Sequence, residues 1–250
     1  MLLTGDEIIK ARRDGEIVID PFVSANVNSH SYDVSLGPFY YRQQPDQAWW
    51  TVNGGPPQVY DDRYNPYDKS HVEGVWELKQ AVPASRFAGG FSADGIGKND
   101  LVIPIGPKEI ILAHTLEFIG SVPKPEGISI TTMMHSRSSS VRNCIDVCGS
   151  GGFGDAGFFS RWTMEIINHS PHYTCCLVVG RRIAQISFHR TSLVFSTYKK
   201  LTGKYQSSDS LAEVKRSWTP EMMLPRMYQD REVGQPNRHR KLINQILQRK

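Results

Sequence analysis

Gly149-Ser-Gly-Gly-Phe-Gly-Asp-Ala-Gly-Phe158 is followed, after two further residues, by Arg161-Trp-Thr-Met-Glu-Ile-Ile-Asn168. The join of a glycine-rich loop to an alternating segment decides how the chain reads. In the second stretch Arg161, Thr163 and Glu165 share one face of a strand by the period of two, while Trp162, Met164 and Ile166 face the other way. Such a strand is buried on one side. By alternation alone Glu165 is an ordinary solvent-facing acid. The glycines ahead of it, however, let backbone N–H and C=O groups approach a ligand closely.

The same rhythm recurs on both sides. Upstream lie Leu101-Val-Ile-Pro104, Glu109-Ile-Ile-Leu-Ala-His-Thr-Leu-Glu117 and Ile128-Ser-Ile-Thr-Thr132; downstream lie Thr174-Cys-Cys-Leu-Val-Val179 and Ile183-Ala-Gln-Ile-Ser-Phe188. Short strands punctuated by glycine and proline predict an all-β barrel or jelly-roll core. Nearer the start, Glu16-Ile-Val-Ile-Asp20 reads as a strand closed by Pro21, and Ser31-Tyr-Asp-Val-Ser-Leu-Gly37 alternates before a turn glycine. Thr4-Gly-Asp-Glu7 is a capping box and Gly15 a stop, which predicts a helix over about residues 5–14.

Between about residues 43 and 100 the composition shifts to Pro, Gly, Asp and aromatics, including Trp49, Trp50, Tyr60, Tyr64, Tyr67 and Trp76. This segment reads as a long insertion whose aromatics either pack against the core or stack a base. Residues 1–218, insertion included, form one β-barrel domain, and 219–250 form a basic C-terminal extension. In that extension the spacing of Leu242-Ile243 and Ile246-Leu247 predicts a terminal helix outside the barrel.

A chain of 250 residues with 39% hydrophobic content can bury a sizeable core. The net charge of +4 is interspersed along most of the length, so no nucleic-acid track is implied. Only the end departs from this. Arg238, Arg240, Lys241, Arg249 and Lys250 follow one another without an acid, as a solvated charged helix or a contact for phosphates. Acids near the N-terminus and the lack of any apolar run approaching ~18–20 residues argue against a signal peptide or a membrane span, which gives the expectation of a cytoplasmic protein.

Cys144, Cys148, Cys175 and Cys176 do not make a disulfide scaffold and are expected to be reduced core residues. The C-x3-C pair lacks the second pair that a zinc site needs, and the H-x-E followed by P-C-x-x-C of zinc nucleobase deaminases is missing.

Met134-His-Ser-Arg-Ser-Ser-Ser-Val-Arg142, followed by Gly154-Asp-Ala-Gly-Phe158 and Thr163-Met-Glu-Ile-Ile-Asn168, resembles the core of the dCTP deaminases, relatives of the trimeric dUTPases. Four more stretches resemble that family in its own order: Leu2-Leu-Thr-Gly-Asp-Glu-Ile8, Ser31–Gly37, Gly180-Arg-Arg-Ile-Ala-Gln-Ile-Ser-Phe188 and Gly203-Lys-Tyr-Gln206. The likeness covers about residues 1–42 and 101–208.

The resemblance implies a mainly β, dUTPase-like distorted barrel or jelly roll with a short N-terminal helix. It also implies hydrolysis of a deoxycytidine nucleotide at C4 of the ring, without zinc, giving dUTP and ammonia from dCTP. Glu165 is then the general acid and base, taking a proton from water as oxygen attacks C4 and returning it to the ring or the leaving amine. Ser138 and a backbone carbonyl near Gly151 hold the water, and Arg142 orients the carboxylate. Arg137, Ser139, Lys204, Tyr205 and Gln206 are assigned to the triphosphate, with Mg2+ carried by its oxygens and not by the protein. Asp155 receives the 3'-hydroxyl, Phe158 packs near the 2' position, and Gln185 joins the substrate-binding set. The family's assembly is a homotrimer whose sites draw on more than one subunit.

This chain departs from the family in two places, and its basic end after Pro220 has no counterpart there. The slim Gly149–Gly154 loop either leaves room for a 5-substituted cytosine or compensates for the insertion, and Gln206-Ser-Ser-Asp209 replaces the usual glycine and glutamine of the tail. A bifunctional enzyme proceeding to dUMP, a dUTPase, and a non-catalytic nucleotide sensor stand as alternatives. Glu165 together with Arg142 favours deamination over a dUTPase.

Overall fold

The computed structural model describes residues 1–250 except 44–63, 88–94, 125–128, 193, 195, 197, 199–202, 236 and 249–250. Its strands are β1 (Ile17–Asp20), β2 (Tyr32–Gln43), β3 (Trp76–Gln80), β4 (Val82–Pro83), β5 (Leu101–Ile105), β6 (Ile110–Ser121), β7 (Ser129–Ser136), β8 (Ile145–Asp146), β9 (Phe153–Gly154), β10 (Phe159–Asn168), β11 (Cys175–Val178) and β12 (Arg182–Thr191). Its helices are α1 (Gly5–Arg13), α2 (Lys69–Val75), α3 (Ser138–Arg142), α4 (Leu211–Ser217) and α5 (Arg240–Leu247).

All the strand pairings are antiparallel. Among the described residues the larger sheet runs β8-β10-β6-β2-β12-β7-β9, with β1 also on β6 and β3 also on β2, and a smaller sheet runs β11-β5-β4. The fold is thus mainly β, a large curled antiparallel sheet with few helices, as the strand rhythm predicts.

Burial follows the alternation. Along β10 every second residue from Ser160 to Asn168 is buried, so Trp162, Met164 and Ile166 enter the core while Arg161, Thr163 and Glu165 stay on the other face. With them in the core lie Val34 of β2, Ile111 of β6, Phe188 of β12, Ile8 of α1, and Ile103 and Ile105 of β5. Each such side chain contributes about 1.5–3 kcal/mol over its exposed state. The capping box forms as expected, with the Thr4 N–H donating to the Glu7 carboxylate at 2.8 Å, and α1 stops before Gly15.

Several expectations need correction. Gly37 is not a turn: β2 continues through it to Gln43, with its register against β6 shifting between Leu36 and Tyr40. A Cβ at Gly37 would sit 2.1 Å from the His114 ring, so the glycine is there to let that imidazole in. His114 is fully buried, which pushes its pKa down to about 4 and keeps it neutral. The cysteines are free thiols, but Cys144 is exposed, and Cys148 and Cys175 are partly buried at the border of the core rather than inside it. Of the insertion's aromatics, Trp49, Trp50 and Tyr60 lie outside the described residues, Tyr64 and Tyr67 are exposed, and Trp76 is buried.

The first part of the C-terminal extension packs on the sheet. Met223 and Leu224 pack with Tyr41, Val72, Trp76 and Leu112 on the outer face of the large sheet. Just before them Leu211 and Val214 of α4, with Trp218, cover Val18, Phe118 and Phe159 on the same face. Residues 211–224 therefore belong to the domain's packing. On α5, by contrast, Leu242, Ile243, Ile246 and Leu247 are exposed. No helix among the described residues is long and apolar enough to cross a membrane.

Candidate active site

Glu165 stands on the outer face of β10, opposite the core-facing Trp162, Met164 and Ile166. It lies on a cavity of about 560 Å³ whose wall includes Gly151, Asp155, Phe158, Lys204 and Tyr205. Six residues singled out from the sequence thus meet in one place. Opposite Glu165 on β6 is Leu112, and Trp76 and Ile110 extend the same apolar wall. Met222, Met223 and Pro225 from the C-terminal extension complete it.

Burial raises the pKa of Glu165, and the nearby charge of Asp146 pushes in the same direction. A carboxyl so placed exchanges protons closer to neutral pH than an exposed one, as an acid-base catalyst requires. The glycine loop runs beside it: a Cβ at Gly151 would lie 3.6 Å from Glu165 Oε2. Gly154 has a different reason to be glycine. A Cβ there would sit 2.2 Å from Thr132 Oγ1 and 2.6 Å from the Trp162 ring, so this residue serves packing between β9, β7 and β10.

Phe158 is held edge-on by Trp162 at 5.4 Å and by Tyr198 at 4.9 Å between ring centroids. Tyr198 then reaches the Gly203–Gln206 segment, its hydroxyl accepting the Tyr205 N–H at 3.0 Å. Gln206 is a correction. Expected to meet phosphate, it is buried, with its amide oxygen accepting from the Phe159 N–H at 2.9 Å and its amide nitrogen donating to the carbonyls of Gly157 and Ser208 at 3.1 and 3.0 Å. It clasps the segment to the start of β10 and has both amide hydrogens engaged. Lys204 forms an ion pair with Asp230 of the extension.

A second group of expected residues lies elsewhere. Arg137 and Ser139, at the start of α3, line a separate cavity of about 340 Å³ together with Asn143, Arg181 and Arg182. Arg137 is anchored there by the buried carboxylate of Asp33, 3.4 Å from its Nε, which Arg182 also meets at 3.0 Å. Ser138 and Arg142 are exposed on α3 and line neither this cavity nor the one holding Glu165. Gln185, half-buried on β12 opposite Asp33 and His135, lines neither as well. One chain thus does not bring Glu165, Ser138 and Arg142 around a common point.

The sequence reading missed Tyr198, Met222, Met223 and Pro225, which carry no periodic or motif signal. Arg161 it named only as a facemate of Glu165. The guanidinium is stacked 4.9 Å from the ring centres of both Phe118 and Trp218, at the edge of the same cavity.

A family model described as dCTP deaminase-like matches residues 60–191. The chain is 37% identical over 106 residues to a "dCTP deaminase, dUMP-forming" of Methanopyrus kandleri, a match spanning 42% of this chain and about half, 52%, of that relative. It is 28% identical over 212 residues to a protein of the same name from Leptospira biflexa, covering 84% of this chain and 93% of the relative. Among solved structures it is similar to 2'-deoxycytidine 5'-triphosphate deaminase from Agrobacterium tumefaciens, with 15% identity, 76% of this chain and 48% of that one covered, and a TM-score of 0.47. With more than half of its length inside the family model, the chain belongs to the dCTP deaminase-like family.

Proposed function

We propose that the protein hydrolyses dCTP at C4 of the cytosine ring and carries the product through to dUMP, releasing ammonia and pyrophosphate. The observation that carries the first step is Glu165, a largely buried carboxyl with a raised pKa on the wall of a nucleotide-sized cavity, beside the Gly151 backbone. Its carboxylate takes a proton from water as the C4–O bond forms. It gives that proton to the ring nitrogen N3, then takes the second proton from the new C4 hydroxyl and passes it to the amine, which leaves as ammonia as the C4–N bond breaks and C4=O forms. Phe158 and the apolar wall of Leu112 and Met223 exclude bulk water from the ring, and Lys204 and Tyr205 sit at the phosphate end.

The exposed position of Ser138 and Arg142 supports a site completed by a neighbouring copy, whose α3 brings both residues to Glu165 across an interface of a homotrimer. Among the described residues no three His, Cys, Asp or Glu side chains gather as a metal-binding group. In this reading Mg2+ arrives on the triphosphate, coordinated by phosphate oxygens.

The second step, attack of water on the α-phosphate with loss of pyrophosphate, is supported by the dUMP-forming names of both sequence relatives. Asp155, exposed on the same cavity, is the carboxylate placed to activate that water. The test is to incubate the protein with dCTP and Mg2+ and to quantify ammonia, dUTP and dUMP. Equal amounts of ammonia and dUMP support the full reading. Ammonia with accumulating dUTP reduces it to deamination alone, and no ammonia overturns it.

A further inference from the structure

The extension does more than wall the apolar end of the cavity. Arg226 holds the neighbouring Lys204-Tyr205 pair: its backbone N–H donates to the Tyr205 hydroxyl at 3.0 Å, its guanidinium donates to the Lys204 carbonyl, and the same group lies 5.3 Å from the centre of the Tyr205 ring. Four residues on, Asp230 takes the Lys204 ammonium. Tyr205 N–H is fixed by Tyr198, and Gln206 by the start of β10. The backbone of this segment is thus pinned on both sides, and the head of Lys204 is the part left to exchange partners.

We infer that Asp230 is an autoinhibitory stand-in for substrate phosphate, occupying Lys204 when no nucleotide is bound and competing with the triphosphate for it. This rests on the reading of Lys204 as a phosphate-binding residue. A carboxylate oxygen and a phosphate oxygen accept from the same ammonium donors, so the two occupants exclude each other. Asp230 is about one-third exposed and Lys204 about one-quarter, so the pair is partly screened and a multiply charged phosphate can displace the carboxylate. Lys204 and Asp230 both lie beyond residues 60–191, the stretch matched by the family model.

The experiment measures binding of inorganic tripolyphosphate by calorimetry at low ionic strength to the full chain and to Asp230→Asn, Asp230→Ala, Lys204→Ala and the Lys204→Ala/Asp230→Asn double variant, each checked for an intact melting transition. Removing the competitor is expected to tighten binding about two- to fivefold, the scale of a partly exposed ion pair. Lys204→Ala should weaken it, and the double variant should match Lys204→Ala alone. Damage to the fold would not tighten binding. The inference is overturned if both Asp230 variants bind tripolyphosphate as the parent does or more weakly. It is equally overturned if Lys204→Ala leaves binding unchanged, while turnover of dCTP judges the proposed reaction separately.

Discussion

Met223 tests whether the C-terminal extension is part of the domain. Its side chain is 3% exposed and packs with Tyr41, Val72, Trp76 and Leu112 on the outer face of the sheet. Met223→Ala removes three heavy atoms from that cluster, and a buried methionine truncated to alanine costs about 2–5 kcal/mol. Because Met223 also borders the Glu165 cavity, part of its surface has fewer neighbours to lose, and the lower end, about 2–3 kcal/mol, is expected. For a chain of this size each kcal/mol shifts the midpoint by about 2–4 °C, so a fall of roughly 4–12 °C should appear in a thermal melt. Melts belong at matched protein concentration, since an oligomer's midpoint depends on it. Ile246→Ala, on the exposed face of α5, is the control and should stay within about 0.5 kcal/mol of the parent. A Met223→Ala melt indistinguishable from that control would refute the packing of the extension onto the sheet.

Gln206→Ala leaves the buried Phe159 N–H without its acceptor and should lower stability by about 1–3 kcal/mol in urea unfolding; no loss would contradict the clasp. The raised pKa of Glu165 means that its protonated form favours the fold. Stability from this group is fully present below the ordinary carboxyl value and lost as pH rises through the folded value. Glu165→Gln should therefore gain stability relative to the parent as pH is raised from 4 to 7, and a difference that stays flat or shrinks would contradict the burial. Shared sites predict complementation: Glu165→Gln and Arg142→Ala, each inactive alone, should regain deamination after being unfolded and refolded together, with about one site in four intact in random trimers. Failure to regain activity, with mixed oligomers present, would place Arg142 outside the site.

β10 was legible because burial on one side writes a period of two into it, and the helix α1 because its capping box is local. Gly37 was misread because glycine marks turns and close approaches alike, and only the partner across the sheet, His114, tells them apart. The Glu165 side of the site was legible through a motif, loop then strand. Its other walls were not. Tyr198, Met222 and Pro225 meet the cavity through long-range packing of a segment with no periodic pattern, and Met223 enters through a short 3-10 turn that follows Pro220. Gln206 looked like a phosphate ligand because a polar amide in a tail carries no sign of whether backbone or ligand will claim it.

The most direct measurement is the rate of ammonia release from dCTP by Glu165→Gln, set beside its affinity for dCTP and Mg2+. A fall of at least about 100-fold in turnover with affinity within a fewfold of the parent is expected of a group that moves protons at the reacting carbon. Turnover close to that of the parent would contradict the assignment of Glu165 as the acid-base residue.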